Sequence, residues 1–179
     1  EGNLTLAKIL HDMLCRHGLE SQDTLGNHLV CMLVQCGCTV DAGRVFQKLS
    51  YRNEQSWASL MCKFIEIDDP QYAFELYEKM QEEHVVCPSK YMLQSLLRAC
   101  VMLKDVLRGQ DFYQEIVRMG VERDPFVGSV LIEMYATSGL FPVVKELIGK
   151  LECRDVVVWT AIITAYIQYG LVDNAFDCT

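Results

Sequence analysis

The sequence predicts an all-α fold, a solenoid of stacked helix-turn-helix units. Three observations carry this reading. Apolar residues recur at helical spacing along the whole chain. Glycines fall where those runs would stop, at Gly18, Gly37, Gly120 and Gly139. The third is a period of 102 residues. It lays Trp57, Leu60, Met61, Ala73 and Phe74 on Trp159, Ile162, Ile163, Ala175 and Phe176. The same shift lays Arg16, Gly18 and Glu20 on Arg118, Gly120 and Glu122, and Gly26, Leu29, Met32 and Gly37 on Gly128, Leu131, Met134 and Gly139. Leu49 and Arg52 fall on Leu151 and Arg154. One gapless shift aligning three regions marks a repeat array.

The elements follow in order. Leu4, Leu6, Ile9, Leu10, Met13 and Leu14 cluster on one side of a helix over 4–17, closed by Gly18. No partner helix precedes it, so the array is expected to begin half-way through a hairpin. Leu25, Leu29, Met32 and Leu33 set a helix from Asp23 to about Gln35, broken by Gly37. The next helix runs from Asp41 to Leu49 with Ala42, Val45, Phe46 and Leu49 inward, and small Ala42 and Gly43 would let two helices approach closely. Trp57, Leu60, Met61, Phe64 and Ile65 mark a helix near 55–67. Tyr72, Ala73, Leu76, Tyr77 and Met80 mark its partner near 70–83. Asp69-Pro70 between them reads as an N-cap followed by proline at the first helical position. His84 to Pro88 reads as a loop. Helices are then expected over Met92–Cys100, Val106–Met119, Phe126–Tyr135, Phe141–Leu151 and Val157–Tyr166, with another from Val172. No Gly/Ser-rich linker interrupts them, so the chain reads as one domain.

Equivalent starts fall at Asp23, Glu54, Lys90, Pro125 and Val156. The spacing is unequal within a set of three units, which is why the shift that aligns the chain is 102 rather than a third of it. Each hairpin is too small to cover its own apolar face. Stacking neighbours covers it, giving a continuous core and a concave surface.

Composition bounds the function. Hydrophobic residues make up 51% of the 179 and charged residues 22%, a balance that supports a packed core. No apolar run nears the roughly 20 residues of a membrane-spanning helix. Glu1-Gly2-Asn3 shows neither an initiator Met nor a signal-peptide pattern, so the chain reads as part of something longer. Acidic residues number 24 against 16 basic, a formal net charge of -8. That is the wrong sign for nonspecific attraction to a polyanion. Nine cysteines stand at 15, 31, 36, 38, 62, 87, 100, 153 and 178 without a C-x-x-C, and no His lies at zinc-ligand spacing from Cys36 and Cys38. They read as small buried thiols of a reducing compartment. No metal or other cofactor is expected.

Four stretches, NEQSWASLMCKF…YAFELYEKMQEEHVVCPS, YMLQSLLRAC, FVGSVLIEMYATSG and RDVVVWTAIITAYIQYG, resemble pentatricopeptide repeats. The resemblance covers nearly the whole chain and is to the plant-type triplet of P, L and S variants. It divides the array into a partial L repeat at 1–22, S at 23–53, P at 54–89, L at 90–124, S at 125–155 and a partial P at 156–179. The unit at 54–89 is one residue longer than usual, with the extra residue placed in the loop near Cys87.

What the resemblance implies is an adaptor for single-stranded RNA in mitochondria or chloroplasts, serving RNA processing such as editing, splicing or stabilisation. Its repeats would read roughly one base each. In the family the fifth and last residues of a unit face the base. Here those are Asn27 with Asn53, Ala58 with Ser89, Gln94 with Asp124, and Ser129 with Asp155, and Thr160 lacks its partner. By that correspondence Asn27/Asn53 suits a pyrimidine and Ser129/Asp155 leans to guanine, while Ala58 has no polar atom to offer. The positions near the RNA backbone, often basic in the family, hold Gln35, Glu66, Met102, Thr137 and Gln168.

The alternative function is a structural or assembly scaffold in a large organellar complex, its solenoid surface making protein–protein contacts; the acidic balance would suit a basic partner. No enzyme is expected. His11, His17, His28 and His84 all fail the H-x-E deaminase pattern, and no phosphate loop or nucleophile elbow occurs. Asp68-Asp69 reads as a turn and cap, and Trp57 and Trp159 as core.

Overall fold

In the computed structural model, residues 2–83, 87–150, 156–168 and 170 are described. Ten helices and no strands occur among them. They are α1 (Gly2–Arg16), α2 (Asp23–Gln35), α3 (Thr39–Lys48), α4 (Glu54–Glu66), α5 (Pro70–Glu82), α6 (Lys90–Leu103), α7 (Val106–Arg118), α8 (Pro125–Thr137), α9 (Phe141–Lys150) and α10 (Val156–Gln168). The helix expected from Val172 lies outside the described residues, as does most of the loop before Cys87. The chain divides into two compact units, Glu1–Met92 and Leu93–Thr179. The boundary lies inside α6, which is why no linker marks it in the sequence.

The 102-residue period is also the period of the helix bounds. Asp23 and Pro125, Thr39 and Phe141, and Glu54 and Val156 open corresponding helices 102 residues apart. Arg16 and Arg118, Gln35 and Thr137, and Lys48 and Lys150 close them at the same spacing.

Starts and stops have local causes. Asn53, Asp69, Asp105 and Asp124 are N-caps whose side chains accept from backbone N–H groups of the first turn of α4, α5, α7 and α8. Pro70 and Pro125 follow two of them, where the missing N–H costs nothing. Gly37 and Gly139 stop α2 and α8 at φ of 79° and 73°. That left-handed turn lets Cys38 N reach Leu33 O at 2.8 Å and Leu140 N reach Tyr135 O at 2.9 Å. Asp68 makes the same turn after α4 at φ 66°, a conformation that costs an L-residue on the order of 1 kcal/mol.

In the Glu1–Met92 unit α2 packs on α3 and α4, and α4 on α5. Val30, Leu33, Ala42, Val45, Phe46, Leu49, Trp57, Leu60, Met61, Ala73, Phe74 and Met80 are buried there. Trp57 stands edge-on to Phe46, with ring centroids 4.6 Å apart. Arg52 lies over the Phe46 ring, donates to the Phe46 carbonyl at 2.9 Å and pairs with Glu83 at 2.9 Å. One guanidinium thus ties the α3–α4 link to the end of α5. In the Leu93–Thr179 unit α8 packs on α7, α9 and α10. Leu96, Leu97, Cys100, Ile116, Val130, Leu131, Ile132, Met134, Val144 and Ile162 form its interior.

Several expectations are corrected here. On α1, Leu4, Leu6, Ile9, Leu10 and Met13 are exposed, and it is Ala7 that is buried. Leu25 and Tyr72 are also exposed. Of the cysteines, 31, 38 and 100 are buried, but 15, 36 and 62 are half-buried and Cys87 is exposed. Burial pushes the Cys100 thiol up to about 12, which holds it protonated and inert.

The expected close approach at Gly43 is the third correction. A Cβ built there meets nothing within 4 Å, so the fold does not need glycine at that place. Close approach occurs at Gly26, whose Cβ would stand 2.6 Å from the Glu20 carbonyl oxygen and against Leu49 Cδ2. It occurs again at Gly109, against the Met134 sulfur. Gly43 lies inside α3, so Gly43→Ala should stabilise the protein by roughly 0.5–1 kcal/mol through helix propensity and the unfolded chain. A urea midpoint that falls on this substitution would show that α3 needs the gap.

Candidate nucleic-acid interface

The first helices of the hairpins carry the residues that the resemblance singles out, and the structure places them differently from one another. Asn27, on α2, is 2% exposed. Its amide donates to the carbonyls of Asp23 at 2.6 Å and Tyr51 at 3.0 Å. Its Oδ1 accepts from Asn53 N at 3.0 Å and from the Ser56 hydroxyl at 2.6 Å. Both donors and both acceptor sites of the amide are therefore occupied inside the protein. This departs from the implied pairing of Asn27 with a pyrimidine: the side chain fastens α2 to the start of α4 and has no group left to offer. Asn53 itself caps α4, accepting from Ser56 N at 2.9 Å.

The other unit-ending residues cap as well. The Ser89 hydroxyl accepts from Met92 N at 3.3 Å in the first turn of α6 and donates to Glu54 at 2.6 Å. Asp124 accepts from Phe126 N at 3.0 Å and Val127 N at 3.4 Å. Asp155 lies outside the described residues.

In the Glu1–Met92 unit, Ala58, Ser59, Cys62, Lys63, Ser89 and Tyr91 are among the residues that line an open groove of about 510 Å3 along α4. Ala58 brings no polar atom to it. Glu66 stands where the family often places a cation, and it pairs with Lys63 at 3.0 Å. Tyr91 is exposed at the rim with the Lys90 ammonium 5.0 Å from its ring centre.

In the Leu93–Thr179 unit Gln94, Asp124 and Ser129, three of the residues that the resemblance singles out, converge on Phe126. Gln94 Nε2 donates to the Phe126 carbonyl at 3.4 Å and the Ser129 hydroxyl donates to the same oxygen at 2.8 Å. Asp124 holds the Phe126 N–H. The backbone of Phe126 is thus fixed on both sides, while the residue is 54% exposed. A serine hydroxyl that donates still has lone pairs to accept from a base N–H. Aromatic faces accept any base by stacking. Thr160, exposed on α10, donates to Val156 O at 2.6 Å and keeps the same acceptor capacity.

Phe126 and Tyr91 were missed in the sequence. The signal was available: each is the second residue of a first helix, one after Pro125 and one after Lys90. An aromatic residue there reads as core until exposure is known. Trp57 is buried, in line with a core role, and Trp159 is half-buried. No helix among the described residues is long and apolar enough to cross a membrane.

Comparison with known proteins agrees with the geometry. A family model for the PPR repeat matches residues 55–85 and 157–178. A chloroplastic pentatricopeptide repeat-containing protein of Arabidopsis thaliana is 29% identical over 97% of this chain and 21% of its own length. A second pentatricopeptide repeat-containing protein of that plant is 29% identical over 94% of this chain and 30% of its own. A third is 30% identical over 94% and 19%. The chain spans less than a third of the length of these relatives. Paired helices, the 102-residue period and these matches over nearly its full length together place the chain in the pentatricopeptide repeat family.

Proposed function

We propose that this chain is a segment of an organellar RNA-binding adaptor that holds a short single strand, reading roughly one base per hairpin and catalysing nothing itself. The observation that carries it is Phe126: an exposed ring on an immobilised backbone, flanked by Gln94 and Ser129. A base stacked on that ring would bring its edge toward the two polar side chains. Ser129 with Asp155, Gln94 with Asp124, and Thr160 are the proposed reading residues, and Tyr91 offers a second stacking surface in the other unit. Asn53 and Asp124 set the ends of α4 and α8. The unit boundaries at 23, 54, 90, 125 and 156, with the S, P, L, S and P assignments, belong to the same proposal. Three of the similar proteins are named chloroplastic, which supports an organellar setting.

The acidic balance shapes the expected behaviour. With a net charge of -8 and Glu66 beside Lys63, phosphate contributes little, so affinity should fall only gently with salt. The test is fluorescence anisotropy of the chain with a pool of short random single-stranded RNAs at low and moderate salt. Phe126→Ala should weaken binding by about 1–3 kcal/mol, at least roughly fivefold. Ser129→Ala should flatten base preference at one position while leaving most of the affinity. Absence of binding at low salt, or a Phe126→Ala protein that binds as the parent does, would turn attention to the protein-scaffold role.

A further inference from the structure

Away from the reading helices, three metal-ligating side chains meet where α1 ends. His11 and Cys15 stand one turn apart on one side of α1, and Glu20 returns to them from the turn that follows. One ligand atom from each lies within 4.8 Å of the other two. His11 Nε2 is 3.7 Å from Glu20 Oε2, and the Cys15 thiol donates to that same oxygen at 2.6 Å. All three residues are half-buried. Lys48, near the end of α3, donates to the other carboxylate oxygen at 2.6 Å, which turns Oε2 toward His11 and Cys15. Asp12, the neighbouring acid on α1, is engaged outward with Arg16 at 2.6 Å.

We propose that His11, Cys15 and Glu20 form a zinc site that pins the end of α1 to the α1–α2 turn. A tetrahedral zinc ion with N, S and O ligands at about 2.0–2.3 Å sets its ligand atoms roughly 3.3–3.8 Å apart. The His11–Glu20 distance already meets this, and the thiol opens by about 1 Å when the metal replaces its proton. Imidazole, thiolate and carboxylate together favour zinc over magnesium or calcium, which prefer all-oxygen sets. Three protein ligands leave a fourth position for water.

The chain supplies its own control. The 102-residue period lays His11, Cys15 and Glu20 on Tyr113, Val117 and Glu122. In the Leu93–Thr179 unit those three line a pocket of about 510 Å3 below α7. The carboxylate is common to both places, but imidazole and thiol occur in only one. The corresponding helix α7 thus forms with tyrosine and valine at these places. The expectation of no metal rests on the spacing around Cys36 and Cys38. An i, i+4 His/Cys pair that needs a carboxylate from the next turn has no C-x-x-C signature.

The test uses the whole chain, with Co2+ as a spectroscopic probe and Zn2+ competing against a chromophoric chelator. The parent should bind one equivalent, with a thiolate-to-cobalt charge-transfer band, and should ignore Mg2+. The double variant His11→Tyr with Cys15→Val installs the residues that the other unit carries at these places, and circular dichroism checks that its helices are kept. It should lose at least about 100-fold in Zn2+ affinity, since outer-shell changes alone cost 10–100-fold. The thiolate band should vanish while the remaining eight cysteines stay in place. A parent that takes up Zn2+ no better than Mg2+, or a double variant that binds as the parent does, overturns the proposal.

Discussion

Trp57→Ala is expected to destabilise the protein by about 3–5 kcal/mol, the range for removing a large aromatic side chain from a packed interior. Trp57 is 1% exposed. Its indole and the Phe46 ring meet with 84° between their planes, and Arg52 lies over that same phenyl ring. Deleting it opens a cavity between α3 and α4 and loosens the guanidinium that ties their link to Glu83. Surrounding helices relax only partly into such a space, so the loss exceeds simple transfer of the side chain. Urea denaturation followed by far-ultraviolet circular dichroism gives the number. Hydrogen exchange locates it, with protection expected to fall first on the α3 and α4 amides. A loss under 1 kcal/mol would mean that Trp57 is not the anchor of this interior.

Asn27→Ala carries the second large effect, about 2–4 kcal/mol. Truncation removes the partner of the Asn53 N–H and a donor from the carbonyls of Asp23 and Tyr51, and it leaves the Ser56 hydroxyl with only its 2.9 Å bond to the Asn53 carbonyl, at a side chain that is 2% exposed. Each buried polar group left without a partner costs about 1–3 kcal/mol, with partial relief as the helices adjust. Asn27→Asp should be worse, because it removes both donors and places a charge against carbonyl oxygens. A cycle with Ser56→Ala should show coupling, since the two side chains share one 2.6 Å hydrogen bond. The same variants separate fastening from reading. A residue that only fastens changes the urea midpoint and leaves base preference alone at temperatures where the chain stays folded. If Asn27→Ala kept full stability and altered base preference, the buried network would not be its role.

The helices were legible because their signals are local. A 3.6-residue apolar period, Asp69-Pro70 and the glycines at 18, 37, 120 and 139 require no knowledge of what lies across the fold. That reading placed α2 and α5 to within a residue. What failed to show were relations between distant residues. Asn27 looked like a surface amide because three of its four partners are 24 to 29 residues away. Gly43 and Gly26 look alike in a helical run, and only the second has Leu49 and the Glu20 carbonyl opposite it. Met61 and Ile163 align across the period, but Met61 is fully buried and Ile163 is 45% exposed. Position in a repeat sets the backbone, while neighbours set the burial. Of the reading residues the resemblance named, Gln94 and Ser129 do converge, and the ring they flank was absent from that set.

The caps bear on how such arrays can be cut and joined. Asn53 ends one hairpin in chain order, yet the N–H groups it satisfies belong to the helix of the next, and Ser89 and Asp124 stand the same way. A block excised from Glu54 onward arrives at a new location without the oxygen that opens its own first helix, and it brings another's with it. Cut one residue earlier, the block carries what it needs at its front and leaves its successor's requirement behind. For the caps at Asn53, Ser89 and Asp124 the seam thus falls one residue before the following helix, and shuffling that respects it keeps the starts of α4, α6 and α8 intact.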